Sequence, residues 1–399
     1  MRFLKISLLI GALLVGGVLV GYHLFFSRPL QLREKLLSDL KAMGWPTQKA
    51  DLVTKGISSP GNAAKYYREA SDMLDHLTFK GQRYDDLRVA YQYPDADEAT
   101  KSLFWEMCQS AEVADVLEMI REATAQPHCQ FEIQINAEGT ILLPDVSSMM
   151  GLNTFLNLLL RQQCIQGLSA AAWKTLSLQF GLSQDMQNLQ MTLGLLVQIA
   201  GNRVCVAGSE IYVSAFPDDR IAQAQMVKWI PQLRNEAPMS EYMAAELLEI
   251  LSEIAGYDLI KIFNEMYRGS KDVWIKWPSF MGFMLAAPQD INFMIEGYLA
   301  QATRFDTPYQ LGTLSTLKKE MNDIPGLFLV SRYFMPTNLK IYANREADRV
   351  TLRLMETALR LLEINRETGT FPETLVGFPK TLVLDSFSGD PFIYTKTEM

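Results

Sequence analysis

The sequence predicts a mainly α-helical protein with one N-terminal transmembrane helix, a multi-helix body, a small β-hairpin near 131–143 and a short C-terminal β-tail. Three observations carry that reading. Residues Ile6 to Phe26 form twenty-one consecutive uncharged positions after a basic N-terminus. Most of the remaining chain repeats its apolar residues at three- and four-residue steps between proline and glycine stops, the spacing of one helix face. Only around Phe131, Ile133 and Ile135 does the period fall to two, with Glu132 and Gln134 between them, as in a half-buried strand.

Residues 1–5 are a basic tail carrying Arg2 and Lys5. At about 1.5 Å per residue the 6–26 run makes a helix of roughly 30 Å, the thickness of a bilayer's hydrocarbon core. A cleaved signal peptide fits less well, because such peptides have apolar cores of about 7–15 residues and a small-x-small cleavage site, and none follows Phe26. The expected topology is a signal anchor with the N-terminus inside and the body outside, although Arg28, Arg33, Lys35 and Lys41 outnumber the basic residues before the run; long domains cross largely regardless of charge. Gly17 and Gly21 form a GxxxG pair, with Ala12 and Gly16 a second small pair, and such pairs allow close helix approach. A homodimer through Gly17 and Gly21 is therefore one expected partnership, the membrane being the other.

Residues 27–61 read as a juxtamembrane helix and linker, with Pro29 to Met43 amphipathic and Gly44-Trp45-Pro46 ending it. The helical body spans 62–336. Asn62 is a good N-cap for a helix through Leu77. Asp95 to Gln126 reads as one or two helices stopped by Pro127, and Glu138-Gly139 turns the hairpin toward Ile141-Leu142-Leu143. Three helices are expected from Val146 to Phe216, divided near Gly167 and near Gly181-Leu182-Ser183. Pro217 with Asp218 and Asp219 opens another, as proline and acids suit a first turn. Ser240 and Glu241 begin a helix through Tyr267. The aromatic-rich Lys271 to Ala287 reads as a core segment too short to span a bilayer, and Pro288 opens a further helix. In 337–399, a long helix from Asn338 to Thr368 shows an apolar stripe of Val350, Leu354, Ala358, Leu361 and Leu362. Opposite it Arg349, Arg353, Glu356, Arg360, Glu363 and Glu367 read as a solvated face, and Gly369 caps the end.

Composition excludes more than it assigns. Without Arg2 and Lys5 the body carries 35 basic against 45 acidic residues, a balance of about −10 that disfavours a phosphate-binding surface, so no nucleic-acid partner is expected. Cys108, Cys129, Cys164 and Cys205 form no CxxC pair; buried apolar roles are expected for most, and their spacing selects no disulfide pairing. His76 and His128 are the imidazoles outside the apolar run. His128 precedes Cys129, yet neighbours on a strand point to opposite faces, which rules out a nucleophile pair there. Gly56 to Asn62 has the glycines of a phosphate loop but asparagine where its lysine belongs. No catalytic, cofactor-binding or metal-ligating residue is assigned. Asp385, Ser388 and Asp390 carry oxygens of the kind calcium takes, though turn formation is the commoner use of such aspartates.

The stretch from Ala358 to Thr395 (ALRLLEINRETGTFPETL…LDSFSGDPFIYT) resembles the tail of a group of uncharacterised membrane-anchored helical proteins of planctomycete-type bacteria, a helix followed by G-x-[YF]-P-x-x-L and D-P-[FW]-[ST]-G-x-P-[FL]-x-Y. Gly369, Phe371, Pro372, Leu375, Asp385, Phe387, Ser388, Gly389, Pro391, Phe392 and Tyr394 match, and Ser386 stands where proline is usual. Segments 62–70, 127–147 and 158–186 resemble further parts of those proteins. The same tail is similar to the C-terminal part of the major pseudopilin of type II secretion, which implies a helix, a small antiparallel sheet and a calcium loop. The N-terminus departs from that family, lacking the glutamate of its processing site. Cys164 to Phe180 resembles a single tetratricopeptide hairpin turning at Gly167, without a second copy. The resemblances imply architecture and location but no activity. The expected function is a single-pass, non-catalytic scaffold or binding protein of the bacterial cell envelope, anchored in the cytoplasmic membrane with its body on the periplasmic side. The alternatives are an envelope hydrolase with an unmarked active site and an accessory part of a secretion or pilus-like machinery.

Overall fold

A computed structural model describes residues 34–35, 38–39, 41–42 and 44–45, and residues 61–396 apart from 93–96, 132, 136–140, 143–144, 190, 235–236, 257–272, 307–312 and 326–327. The apolar run at 6–26, its glycine pairs and most of the juxtamembrane segment lie outside these. Among the described residues no helix is long and apolar enough to cross a membrane.

The body is mainly helical, and its first helices start where the capping chemistry is strongest. Helix α1 (Ala63–Asp75) begins at Asn62, whose side chain accepts from the Ala64 amide. Ala63, Tyr67, Ala70 and Leu74 are buried along one face. A hairpin of β1 (Thr78–Phe79) and β2 (Gln82–Arg83) follows, turning through Lys80 and Gly81, both at positive φ. This element is too short to leave a legible alternation. Helices α2 (Tyr84–Gln92), α3 (Glu98–Cys108) and α4 (Ala111–Thr124) come next, and Asp97 and Ser110 cap the last two. Two helices thus occupy the span read as one or two. The expected hairpin is present as β3 (Gln134–Ile135) against β4 (Ile141–Leu142).

Three long helices follow: α5 (Asp145–Ile165), α6 (Ser169–Asp185) and α7 (Thr192–Ala215). The α5–α6 turn is at Gly167, with φ +71° and Leu168 N–H reaching back to the Gln163 carbonyl, a Schellman closure that suits glycine. The second division lies after Asp185, in a 3-10 turn at Met186–Asn188, and not at Gly181 as expected. Gly181 sits inside α6, where a Cβ would stand 2.6 Å from the Thr124 methyl; glycine serves there for close packing on α4. Helix α8 (Arg220–Trp229) is capped by Asp219, so Pro217 precedes the cap and is not its first residue. After α9 (Met239–Gly256), α10 (Val273–Phe305) runs continuously through position 288, so Pro288 opens no new helix.

Helix α11 (Thr313–Asn322) leads to α12 (Leu329–Thr368), which starts nine residues before the expected Asn338, contains Pro336 and ends on Gly369 at φ +76°. A domain boundary at 336/337 would cut this helix. The Ser331 amide in its first turn is capped from outside by Asp290 Oδ1 on α10, at 2.9 Å. The C-terminal tail is less regular than expected. Lys380–Val383 is a helical turn, α13, and the tail's sheet reduces to one antiparallel bridge, Leu384 with Pro391. Pro379 accounts for the helical turn, since its carbonyl accepts from the Leu382 amide. Asp385 accepts from the Phe387 amide and Ser388 from the Asp390 amide, the turn role expected for them.

The largest correction concerns α12. Leu354 is 46 % exposed and Ala358 is exposed, whereas Leu352, Met355 and Leu359 are buried. Much of the face read as solvated is inside: Glu356 is 4 % exposed, paired with Arg234 and with Arg360. Arg353 donates to the Leu384 carbonyl and to Ser386 Oγ, at 2.8 and 2.7 Å, holding the tail against the helix. Glu363 and Glu367 are exposed, as expected. Pairing is what lets that charge enter the interior.

Candidate functional site

A cavity of about 660 Å³ opens between the end of α4, the extended segment after it and the end of α6. That volume lies within the roughly 300–1,000 Å³ of small-ligand sites. Its lining includes Thr124 and Gln126 from the α4 terminus, His128, Cys129 and Gln130 from the extended segment, and Gln184, Asp185, Gln187 and Asn188 from α6 and the 3-10 turn.

The extended segment is fixed by α1's cap. Asn62 does more than accept from Ala64: its side-chain amide bonds both ways with the Gln130 backbone, Nδ2 to the carbonyl and Oδ1 from the amide, each at 2.9 Å. The Ala63 amide donates to the His128 carbonyl at 2.8 Å, and the result is a parallel bridge between Asn62 and His128. A side chain thus stands in for a strand, presenting His128 outward while Cys129 is buried, in line with the opposite faces expected of strand neighbours.

Asp185 is the carboxylate of the cavity. It lies in the last turn of α6, and Tyr67 of α1 donates its hydroxyl to Oδ2 at 2.7 Å. Burial raises its carboxyl to about 6, and only the Tyr67 hydrogen bond opposes that rise. Burial also drives the Tyr67 hydroxyl well above its ordinary range, with the Asp185 charge adding to it, so Tyr67 acts as a donor throughout the accessible pH range. Three other lining side chains each commit a donor to a backbone carbonyl. Gln126 Nε2 bonds the Glu122 carbonyl at 2.8 Å, Gln187 Nε2 the Gln232 carbonyl at 2.7 Å, and the Thr124 hydroxyl the Arg121 carbonyl at 3.0 Å. A carbonyl only accepts, so these bonds fix which end of each amide carries the oxygen.

Sequence reasoning singled out neither Asp185 nor Tyr67. One local signal was available: an acidic residue in a helix's last turn opposes the negative end of the macrodipole, an arrangement that helices ordinarily avoid.

Cys129 belongs to the cavity lining, and Cys108, Cys164 and Cys205 do not. None of the four forms a disulfide; burial pushes Cys108 and Cys205 up to about 12 and Cys164 up to about 11, so these three remain protonated at neutral pH. Cys108, Cys129 and Cys205 are buried, as expected for most, and Cys164 is half-buried.

The α5–α6 pair turns at Gly167 and buries Ala172. No family model, curated protein or solved structure matches the chain.

Proposed function

We propose that this protein is a single-pass membrane-anchored binding protein of the bacterial cell envelope, held by residues Ile6 to Phe26 with its helical body on the periplasmic side. The cavity at the α4 and α6 termini is its binding site. The observation that carries the reading is the pairing of a ligand-sized, polar-lined cavity with a carboxylate, Asp185, held in place by Tyr67. A carboxyl perturbed by burial and sitting in a cleft is a candidate for a functional group. The anchor rests on the length and charge pattern of the 6–26 run, and the tail's likeness to planctomycete-type anchored proteins agrees with it.

A second reading, an envelope hydrolase, is favoured by one observation: a carboxyl raised to about 6 shares the cavity with an imidazole, His128, and general acid–base chemistry uses groups of that range. A secretion-machinery role rests on the tail alone.

Full-length protein bearing alkaline phosphatase after Met399 is expected in carbonate-resistant membranes with the phosphatase active. Recovery in the soluble fraction would remove the anchor. Native mass spectrometry of the detergent-purified chain is expected to show a retained small molecule that Asp185→Asn loses; identical spectra for parent and variant would remove the cavity as the binding site.

A further inference from the structure

We propose that the α4–α6 cavity is a receptor site for an organic cation, a primary ammonium or guanidinium group that enters to pair with Asp185. This rests on the binding reading above and names its ligand class. Three observations of different kinds converge on it.

The first is the supply of charge. No lysine or arginine lies between Arg121 and Arg161, or between Lys174 and Arg203, and these two stretches contain every described residue that lines the cavity. No cation contributes to the charge balance of Asp185 either. A carboxylate removed from water is ordinarily paired or neutralised; here it faces a cavity, where an incoming cation supplies the partner.

The second is the sense of the hydrogen bonds. Gln126 and Gln187 each hold an amide N–H on a backbone carbonyl, and the Thr124 hydroxyl is likewise committed as a donor. These three side chains carry oxygens that can accept from a ligand, and ammonium and guanidinium groups are donors only. An anion would meet the Asp185 carboxylate, with no lysine or arginine among the described lining residues.

The third is the preorganisation of the acceptor. Tyr67 fixes Oδ2 at 2.7 Å, leaving Oδ1 to the ligand in a set geometry. A divalent metal is a poorer match, because calcium takes six to eight oxygens with several carboxylates among them, and the described residues contain no cluster of three or more His, Cys, Asp or Glu suited to an ion.

The ionisable side chains around the site are Asp185 from α6, Tyr67 from α1, and His128 and Cys129 from the extended segment. Acidification protonates Asp185 and removes the negative charge that a cation would pair with. Affinity therefore falls from pH 8 to pH 5. Near pH 6, binding expels the Asp185 proton into the buffer.

The test is isothermal titration of the full-length chain in detergent at pH 8, 6 and 5 with agmatine, spermidine and Gly-Arg-Gly amide, against maltose and calcium chloride. At least one cationic probe is expected to bind at pH 8, with affinity at least tenfold lower in Asp185→Asn and a heat at pH 6 that varies with the ionisation enthalpy of the buffer. Agmatine or spermidine alone binding identifies a free amine as the source; the peptide alone identifies a basic side chain. Tyr67→Phe keeps the carboxylate but removes the bond that favours its charged form, so the acid midpoint for cation binding moves to higher pH. Binding of maltose or calcium with no cationic probe would overturn the ligand class and leave a binding cavity standing. No binding by any probe would overturn both. Cation binding that Asp185→Asn leaves intact would overturn the site.

Discussion

Replacing Asp348 by asparagine is expected to stabilise the protein at pH 8. Asp348 lies on α12 at 5 % exposure, with Oδ2 accepting from Asn202 Nδ2 at 2.8 Å. Burial outweighs that bond and the nearby Arg203 and Arg349 charges, and lifts its carboxyl from 3.8 to about 7. At about 1.36 kcal/mol per pH unit, keeping it ionised in the folded state costs roughly 4 kcal/mol at pH 8. The sign follows from linkage: between pH 3.8 and about 7 the folded state binds this proton more tightly than the unfolded chain, so stability falls as pH rises through that window. Asparagine retains an oxygen for Asn202 and has no charge to bury. Thermal unfolding of the full-length chain in detergent, followed by tryptophan fluorescence, should show a parent Tm that drops from pH 5 to pH 8 and an Asp348→Asn Tm that drops less. Some decline persists, because burial also raises Asp185, to about 6, and Glu246. A variant less stable than the parent at pH 8, or one with the parent's full decline, would refute the reasoning.

Glu356→Gln leaves Arg234 and Arg360 facing a neutral group in a largely buried site, and is expected to cost about 3 kcal/mol, read as a lower urea midpoint. Leu352→Ala, at a fully buried position, should cost about 2–5 kcal/mol. Leu354→Ala, two residues along and 46 % exposed, should change stability by less than about 1 kcal/mol; the reverse order would restore the apolar stripe as the buried face. Gly194→Ala drives a methyl into the backbone carbonyl and Cβ of Leu189, whereas Gly297→Ala meets the flexible end of Met335. The first is expected to cost about 1–3 kcal/mol and the second clearly less, compared by Tm on the same preparation.

Local chemistry made much of this fold legible. Asn62 caps α1, Gly369 ends α12 in a left-handed conformation and the 131–143 alternation yields a hairpin, because caps and periodicity act within about four residues of chain. The same locality explains the errors. Gly181 and Pro288 look like stops, yet each lies inside a helix, and for Gly181 the reason is a contact with Thr124 on another element. The candidate site was illegible for a related reason. Asp185 meets Tyr67 118 residues away, and no short motif spans such a distance.

The sequence by itself determined the helical class, several helix ends and the expectation of a membrane anchor, since all three depend on short-range signals and run length. Only the tertiary structure decided which face of α12 is buried. Glu356 goes inside because Arg234, 122 residues earlier, meets it there, whereas Asp348 meets the neutral Asn202, 146 residues earlier, and is buried at a cost. A charged stripe reads as solvated until its partners are placed, because burial of charge depends on pairing across the fold and not on the helix that carries it.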